Sequence, residues 1–110
     1  MICRVWHGWT TEENAGAYSE FLLLELFPRV RDDLKGKGYR GYDLLQLKRA
    51  SEVEFVTMLW FDSLSAIRSF AGELYELPVI HEKARKLLAR YDSRCEHFEV
   101  LGSEREKFAI

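Results

Sequence analysis

Only two prolines, two cysteines and seven glycines interrupt this chain of 110 residues. Such sparse punctuation excludes collagen-like and low-complexity compositions, and two thiols are too few for a disulfide-stapled scaffold. Cys3 and Cys95 stand outside any CxxC spacing and read as buried free thiols in a reducing compartment. No apolar run approaches the roughly 20 residues that span a bilayer. The opening "MICRVWHGW" has neither the basic segment nor the long apolar run of a secretory signal. A cytoplasmic protein with no membrane partner is expected. Excess charge of either sign is missing too: 16 Lys and Arg face 18 Asp and Glu, a net charge of −2. With no basic patch to meet a phosphate backbone, no nucleic-acid partner is expected. Nucleophile elbow, phosphate loop, dinucleotide fingerprint and internal repeat are likewise lacking.

What is present is a globular composition, 47% apolar and 31% charged, of a length suited to one domain. We assign that domain to residues 1–101, followed by a polar tail, 102–110, whose Phe108 and Ile110 could dock or stay loose. Residues 2–9 alternate like a strand, and Thr10 with Glu13 has capping-box spacing for a helix. Tyr18, Phe21, Leu22, Leu26 and Val30 keep helical spacing, "FLLLELF" is apolar nearly all round, and Pro28 should kink or end the helix. After the breakers of "KGKGYRG", residues 39–49 and 53–61 read as a hairpin. Asp62 or Ser63 caps a short helix that Gly72 stops. "HEKARKLLARYD" reads as a further helix with Leu88 and Tyr91 inward, and residues 93–101 as the last strand.

The order β-α-β-β-α-β, its second helical region broken in two, predicts an α+β, ferredoxin-like split βαβ fold with a four-stranded antiparallel sheet. Both sheet faces carry large apolar groups. Cys3, Val5, His7 and Trp9 oppose Ile2, Arg4, Trp6 and Gly8, while Phe55, Leu59 and Phe61 oppose Val56, Met58 and Trp60. A patch of Trp6, Met58 and Trp60 beyond the helix-covered face predicts a homodimer packed sheet to sheet.

The segments "GYRGYDLL", "EFVTMLWFDSLSAIRSFAGE" and "ARKLLARYDSRCEHFEV" resemble the antibiotic biosynthesis monooxygenase family of dimeric α/β barrels. The likeness runs over residues 2–100 and is most specific from Phe55 to Glu73. It implies a pocket in each subunit between helices and sheet, with a dimer closing the opposite face. The superfamily resembled includes cofactor-free quinone-forming monooxygenases, haem-degrading monooxygenases and members with no assigned activity. In the haem-degrading members a strand-one asparagine, an aromatic on the helix after the third strand and a later histidine form the site. Those positions fall on His7, Phe70 and His81, so only the histidine is kept.

The expected function is a cofactor-independent monooxygenase acting on a small aromatic or polyketide-like molecule. The alternatives are a haem-binding, haem-degrading enzyme and a non-catalytic ligand-binding or stress-response module. Oxygenation without a cofactor asks the protein to bind an electron-rich ring, help remove its proton and exclude water. His7, grouped with Val5 on the presumed helix-facing side, is the first candidate base or orienting group. His81 and Tyr75 are further catalytic candidates, His81 as pocket acid, haem ligand or simply a polar helix start. Trp9, Phe21, Phe55 and Phe70 are the candidate substrate-binding residues, and Arg4, Trp6, Trp60, Tyr39 and Tyr42 could add to an aromatic lining. A metal centre from Cys3, His7, Cys95 and His97 would need an even register between first and last strands and lacks motif spacing, so no metal is expected. Glu73 and Glu76 read as solvated loop residues.

Overall fold

In the computed structural model, which describes residues 1–105, the chain opens with β1 (Ile2–Thr10) and turns directly into α1 (Glu12–Phe21). Phe108 and Ile110 lie outside the described residues. Thr11, rather than Thr10, caps α1: its hydroxyl accepts from the Asn14 N–H at 3.2 Å. Thr10 is held one residue longer in the sheet, opposite Val53, and that displaces the capping spacing.

The helix also outlasts Pro28. After α1 it widens into a π turn at Leu22–Leu26, where the Phe27 N–H donates to the Leu22 carbonyl five residues back, and resumes as α2 (Phe27–Asp33). The widened turn comes just before the one residue with no N–H to give, so the helix passes the proline instead of ending at it.

β2 (Tyr39–Lys48) and β3 (Val53–Phe61) form the expected hairpin, closed by the Arg49 N–H on the Glu52 carbonyl at 2.9 Å. Ser63 caps α3 (Leu64–Ala71) by accepting from the Ala66 N–H at 3.2 Å, and Gly72, at φ 84°, ends it. α4 (Glu82–Leu87) is half the length expected from the sequence. Past Leu88, the Ala89 N–H donates to the Trp9 carbonyl (2.7 Å) and the Asp92 N–H to the His7 carbonyl (3.0 Å). These bonds draw the chain onto the edge of β1 as β4 (Arg90–Tyr91), followed by β5 (Glu96–Glu99). Tyr91, expected on a helix, therefore lies on a strand. No described helix is long and apolar enough to cross a membrane.

The sheet is antiparallel throughout, in the order β2-β3-β1, with β4 and β5 sharing the far edge of β1. This is the ferredoxin-like α+β arrangement, its fourth strand divided in two. The β1–β3 register places Ile2, Arg4, Trp6, Gly8 and Thr10 opposite Phe61, Leu59, Thr57, Phe55 and Val53 on the face the helices cover. There Tyr18, Phe55, Phe61 and Ile67 are fully buried, each worth about 1.5–3 kcal/mol by apolar burial. Cys3, Val5, His7 and Trp9 point to the outer face with Glu54, Val56, Met58 and Trp60. Trp6 thus belongs to the helix-covered side rather than to the outer patch with Met58 and Trp60.

Candidate functional site

Between the helix layer and the inner sheet face lies an apolar cavity of about 210 Å³. Leu22, Leu26, Phe27 and Val30, from the π turn and α2, form one wall, so the irregular turn before Pro28 shapes the space itself. Arg4, Trp6, Thr57 and Leu59 of the sheet form the floor, and Phe70 of α3 with residues 78–81 close the side. Tyr18, Ala84 and Cys95 complete the lining.

The polar groups on this wall are few. The Trp6 indole N–H donates to the Asp92 carbonyl at 2.8 Å. Burial raises the pKa of the Tyr18 hydroxyl far above its usual range, and burial likewise pushes the Cys95 thiol up, with Arg4 nearby drawing it partly back. Both groups are therefore neutral near pH 7 and neither is a ready base. His81 caps α4, its Nδ1 accepting from the Lys83 N–H at 3.1 Å. His81 is exposed at the rim of the cavity, and in that arrangement its neutral ring carries the proton on Nε2.

Arg4 is the unusual member. It is 3% exposed, yet it lies among apolar side chains. Its guanidinium donates to the carbonyls of Tyr75 and of Leu77 (3.0 Å), contacts His97 Nε2 at 3.0 Å, and sits 5.6 Å from the Phe70 ring centroid. Burial, and then the Arg4 charge, hold the His97 pKa below its ordinary value, so its ring is neutral and Nε2 accepts.

The structure brings together only part of the set expected from sequence. His81 and Phe70 reach the cavity wall. His7 does not: it points to the outer face, where Nδ1 lies 2.8 Å from Glu54 Oε2, and Glu54 in turn accepts from Arg49 at 2.6 and 3.0 Å. Trp9 is beside it, stacked on His7 at 6.0 Å and under the Arg90 guanidinium at 4.0 Å. Both follow from strand parity, since alternation puts them opposite to Arg4 and Trp6. Phe21 packs against His81 (5.1 Å) and faces a shallow groove between α1 and α4. Phe55 is buried edge-on against Tyr18 (4.9 Å), below the cavity lining. Tyr75 contributes its carbonyl to Arg4 and turns its ring to His97 (5.1 Å). Cys3 and His7 face outward while His97 pairs with inward-facing Arg4, so the four candidate metal ligands are divided between the two faces.

Tyr18 and Thr57 are cavity groups that the sequence did not single out as site residues; Arg4 was expected only as part of an aromatic lining and Cys95 only as a metal ligand. For Arg4 a signal was present: a charged residue alternating with Ile2 and Trp6 on one strand face.

No protein-family model matches the sequence, and no curated protein matches it. Solved structures do. A protein from Bacillus cereus, provisionally described as an antibiotic biosynthesis monooxygenase, superposes with a TM-score of 0.64 at 16% identity, over 96% of this chain and 97% of that one. MhuD from Mycobacterium tuberculosis, a heme-degrader solved with two hemes in its active site, superposes with a TM-score of 0.54, also at 16% identity, over 96% of this chain and all of that one. The chain has the fold of both.

Proposed function

We propose that this chain is a cytoplasmic, homodimeric monooxygenase that works without metal or flavin on a small aromatic molecule. The observation that carries the reading is the apolar cavity between helices and sheet, in a fold shared with a protein described as a monooxygenase. Its volume, about 210 Å³, lies below the roughly 300–1,000 Å³ of drug-sized sites and suits a flat ligand of up to three fused rings. In the proposed reaction a ring CH2 of an electron-rich substrate is oxidised to C=O by dioxygen. One oxygen atom stays on carbon, and the other leaves as water with the two hydrogens. The protein excludes bulk water, and the His81 Nε2–H orients an oxygen of the substrate.

Haem, the group that the Mycobacterium tuberculosis protein holds, fits this cavity poorly. The space is too small for a macrocycle, and ligation through His81 Nε2 would require moving the ring proton to Nδ1, which breaks the cap on the Lys83 N–H. These two features support the cofactor-free reading. Sheet-to-sheet pairing is supported by the outer face, where Leu45, Leu47 and Phe98 are exposed beside Val56, Met58 and Trp60. The two free, buried cysteines suit a reducing cytoplasm.

An oxygen electrode tests the reaction. With an anthrone, whose central ring carries such a CH2, the wild type should consume dioxygen well above the uncatalysed rate. Leu59→Trp, which fills the cavity, should lose most of that activity, and His7→Ala should keep it. Uptake no faster than autoxidation would sink the reading. Added haemin should leave its Soret band unmoved, and a shift that His81→Ala abolishes would favour haem binding instead.

A further inference from the structure

We infer that the cavity receives its ligand as an oxyanion and that Arg4 is the cation that binds it. The inference rests on the cavity being the ligand site and deepens that reading by naming the charge state of the substrate. Its ground is a charge account that does not close. A guanidinium stays protonated even where burial lowers its pKa, as it does for Arg4. A buried cation is costly unless an anion or a full set of acceptors compensates it.

Around Arg4 no carboxylate does so among the described residues. Its acceptors are the Tyr75 and Leu77 carbonyls and the neutral His97 ring. The carboxylates of the same loop are engaged elsewhere, Glu73 near Arg68 at 3.9 Å and Glu76 with Arg94 at 2.7 Å. The groups on the wall that could become anions, the Tyr18 hydroxyl and the Cys95 thiol, are kept neutral by burial. Three of the five guanidinium N–H groups are thus used, leaving two without an acceptor among the described residues.

The loop carbonyls hold the guanidinium in place without neutralising it, in a space otherwise lined by Leu22, Leu26, Phe27 and Leu59. That combination selects an apolar ring bearing one acidic oxygen, as a phenolate, enolate or carboxylate, with the ring in the apolar space and the oxygen on Arg4. It also answers the missing base. Where no side chain on the wall is poised to take the proton, a fixed cation favours the ionised substrate and lowers its pKa on binding.

Calorimetry with 1-naphthoate and 1-naphthamide tests the charge preference without any turnover. The wild type should bind the acid about 10- to 100-fold more tightly, the range of a charge-assisted pair. Arg4→Gln should abolish the difference, and Arg4→Lys should restore part of it. Should Arg4→Gln fail to fold, 4-nitrophenol decides on the wild type alone: bound dye should show the phenolate absorbance at a pH where free dye is mostly protonated. Equal binding of acid and amide together with an unshifted dye, or a folded Arg4→Gln that still prefers the acid, would overturn the inference. Acid preference without oxygen uptake would leave the inference standing and remove the oxygenase reading. The two probes separate the two oxyanion sources: a 4-nitrophenol shift with weak naphthoate binding marks a phenolate site, and tight naphthoate binding with an unshifted dye a carboxylate site.

Discussion

His97 and Glu54 lie on opposite sheet faces, and each is tied to a cationic or basic neighbour in a way that makes stability depend on acidity. The Glu54 carboxyl is held below the usual glutamate range, first by its bonds from Arg49 and then by His7. Its contribution is present above the unfolded pKa and is lost as the pH falls through the lower folded value. Glu54→Gln should therefore cost on the order of 1 kcal/mol at pH 7, the worth of a hydrogen bond to a charged group, and the gap to wild type should close in strong acid. His97 behaves differently, because burial and Arg4 depress a basic group. It adds no pH dependence above the ordinary histidine range, but below about pH 6.5 the unfolded chain takes up the proton more readily and stability falls. Urea denaturation from pH 7 to 3 should show two windows: one near pH 6 flattened in His97→Gln, and one near pH 4 flattened in Glu54→Gln.

Among the elements, two glycines give opposite forecasts. Gly16 lies within α1 with nothing near the position of an added Cβ, so Gly16→Ala should stabilise by about 0.5–1 kcal/mol. Gly38, at φ 87°, would set its Cβ 2.7 Å from Ala66 Cβ, so Gly38→Ala should cost at least 1–2 kcal/mol, roughly the penalty for a left-handed residue alone. Midpoints of urea denaturation check both. The same scale shows what could be read from sequence. β3 and the Ser63 and Gly72 boundaries of α3 were legible because β-branched runs and caps act locally. The end of α4 was not, since Leu88 to Tyr91 have helical spacing and only bonds to the edge of β1 draw them into a strand. Nor was the face of His7. Both faces of β1 and β3 are apolar, so alternation sorted the side chains into two sets without saying which set the helices cover. The π turn left no sequence mark beyond Pro28 itself.

For the molecule as a whole, the proposed dimer would bury the outer sheet face. Leu45 and Leu47, 49% and 53% exposed, stand on edge strand β2 beside the apolar centre of that face. A single Leu45→Lys or a paired Leu45→Lys, Leu47→Lys change places charge on the patch without touching the core. Sedimentation velocity at micromolar concentration should give a dimer for the wild type and a monomer for the paired variant. A wild type that sediments as a monomer would remove the assembly from the proposal. At the end of the described chain Arg105 donates to both oxygens of Asp43 at 3.0 and 3.1 Å. This brings the segment after β5 from one edge of the sheet to the opposite edge strand.

The three indoles are divided by the same parity that separates the sheet faces. Trp6 lines the cavity 5.6 Å from Tyr91, whereas Trp9 and Trp60 look outward. The protein thereby carries built-in optical reporters. Quenching or energy transfer at Trp6 follows a ring entering the interior, and the emission of the other two follows what touches the exterior. Filling and docking are thus distinguishable in an unlabelled sample from the colour of its own light.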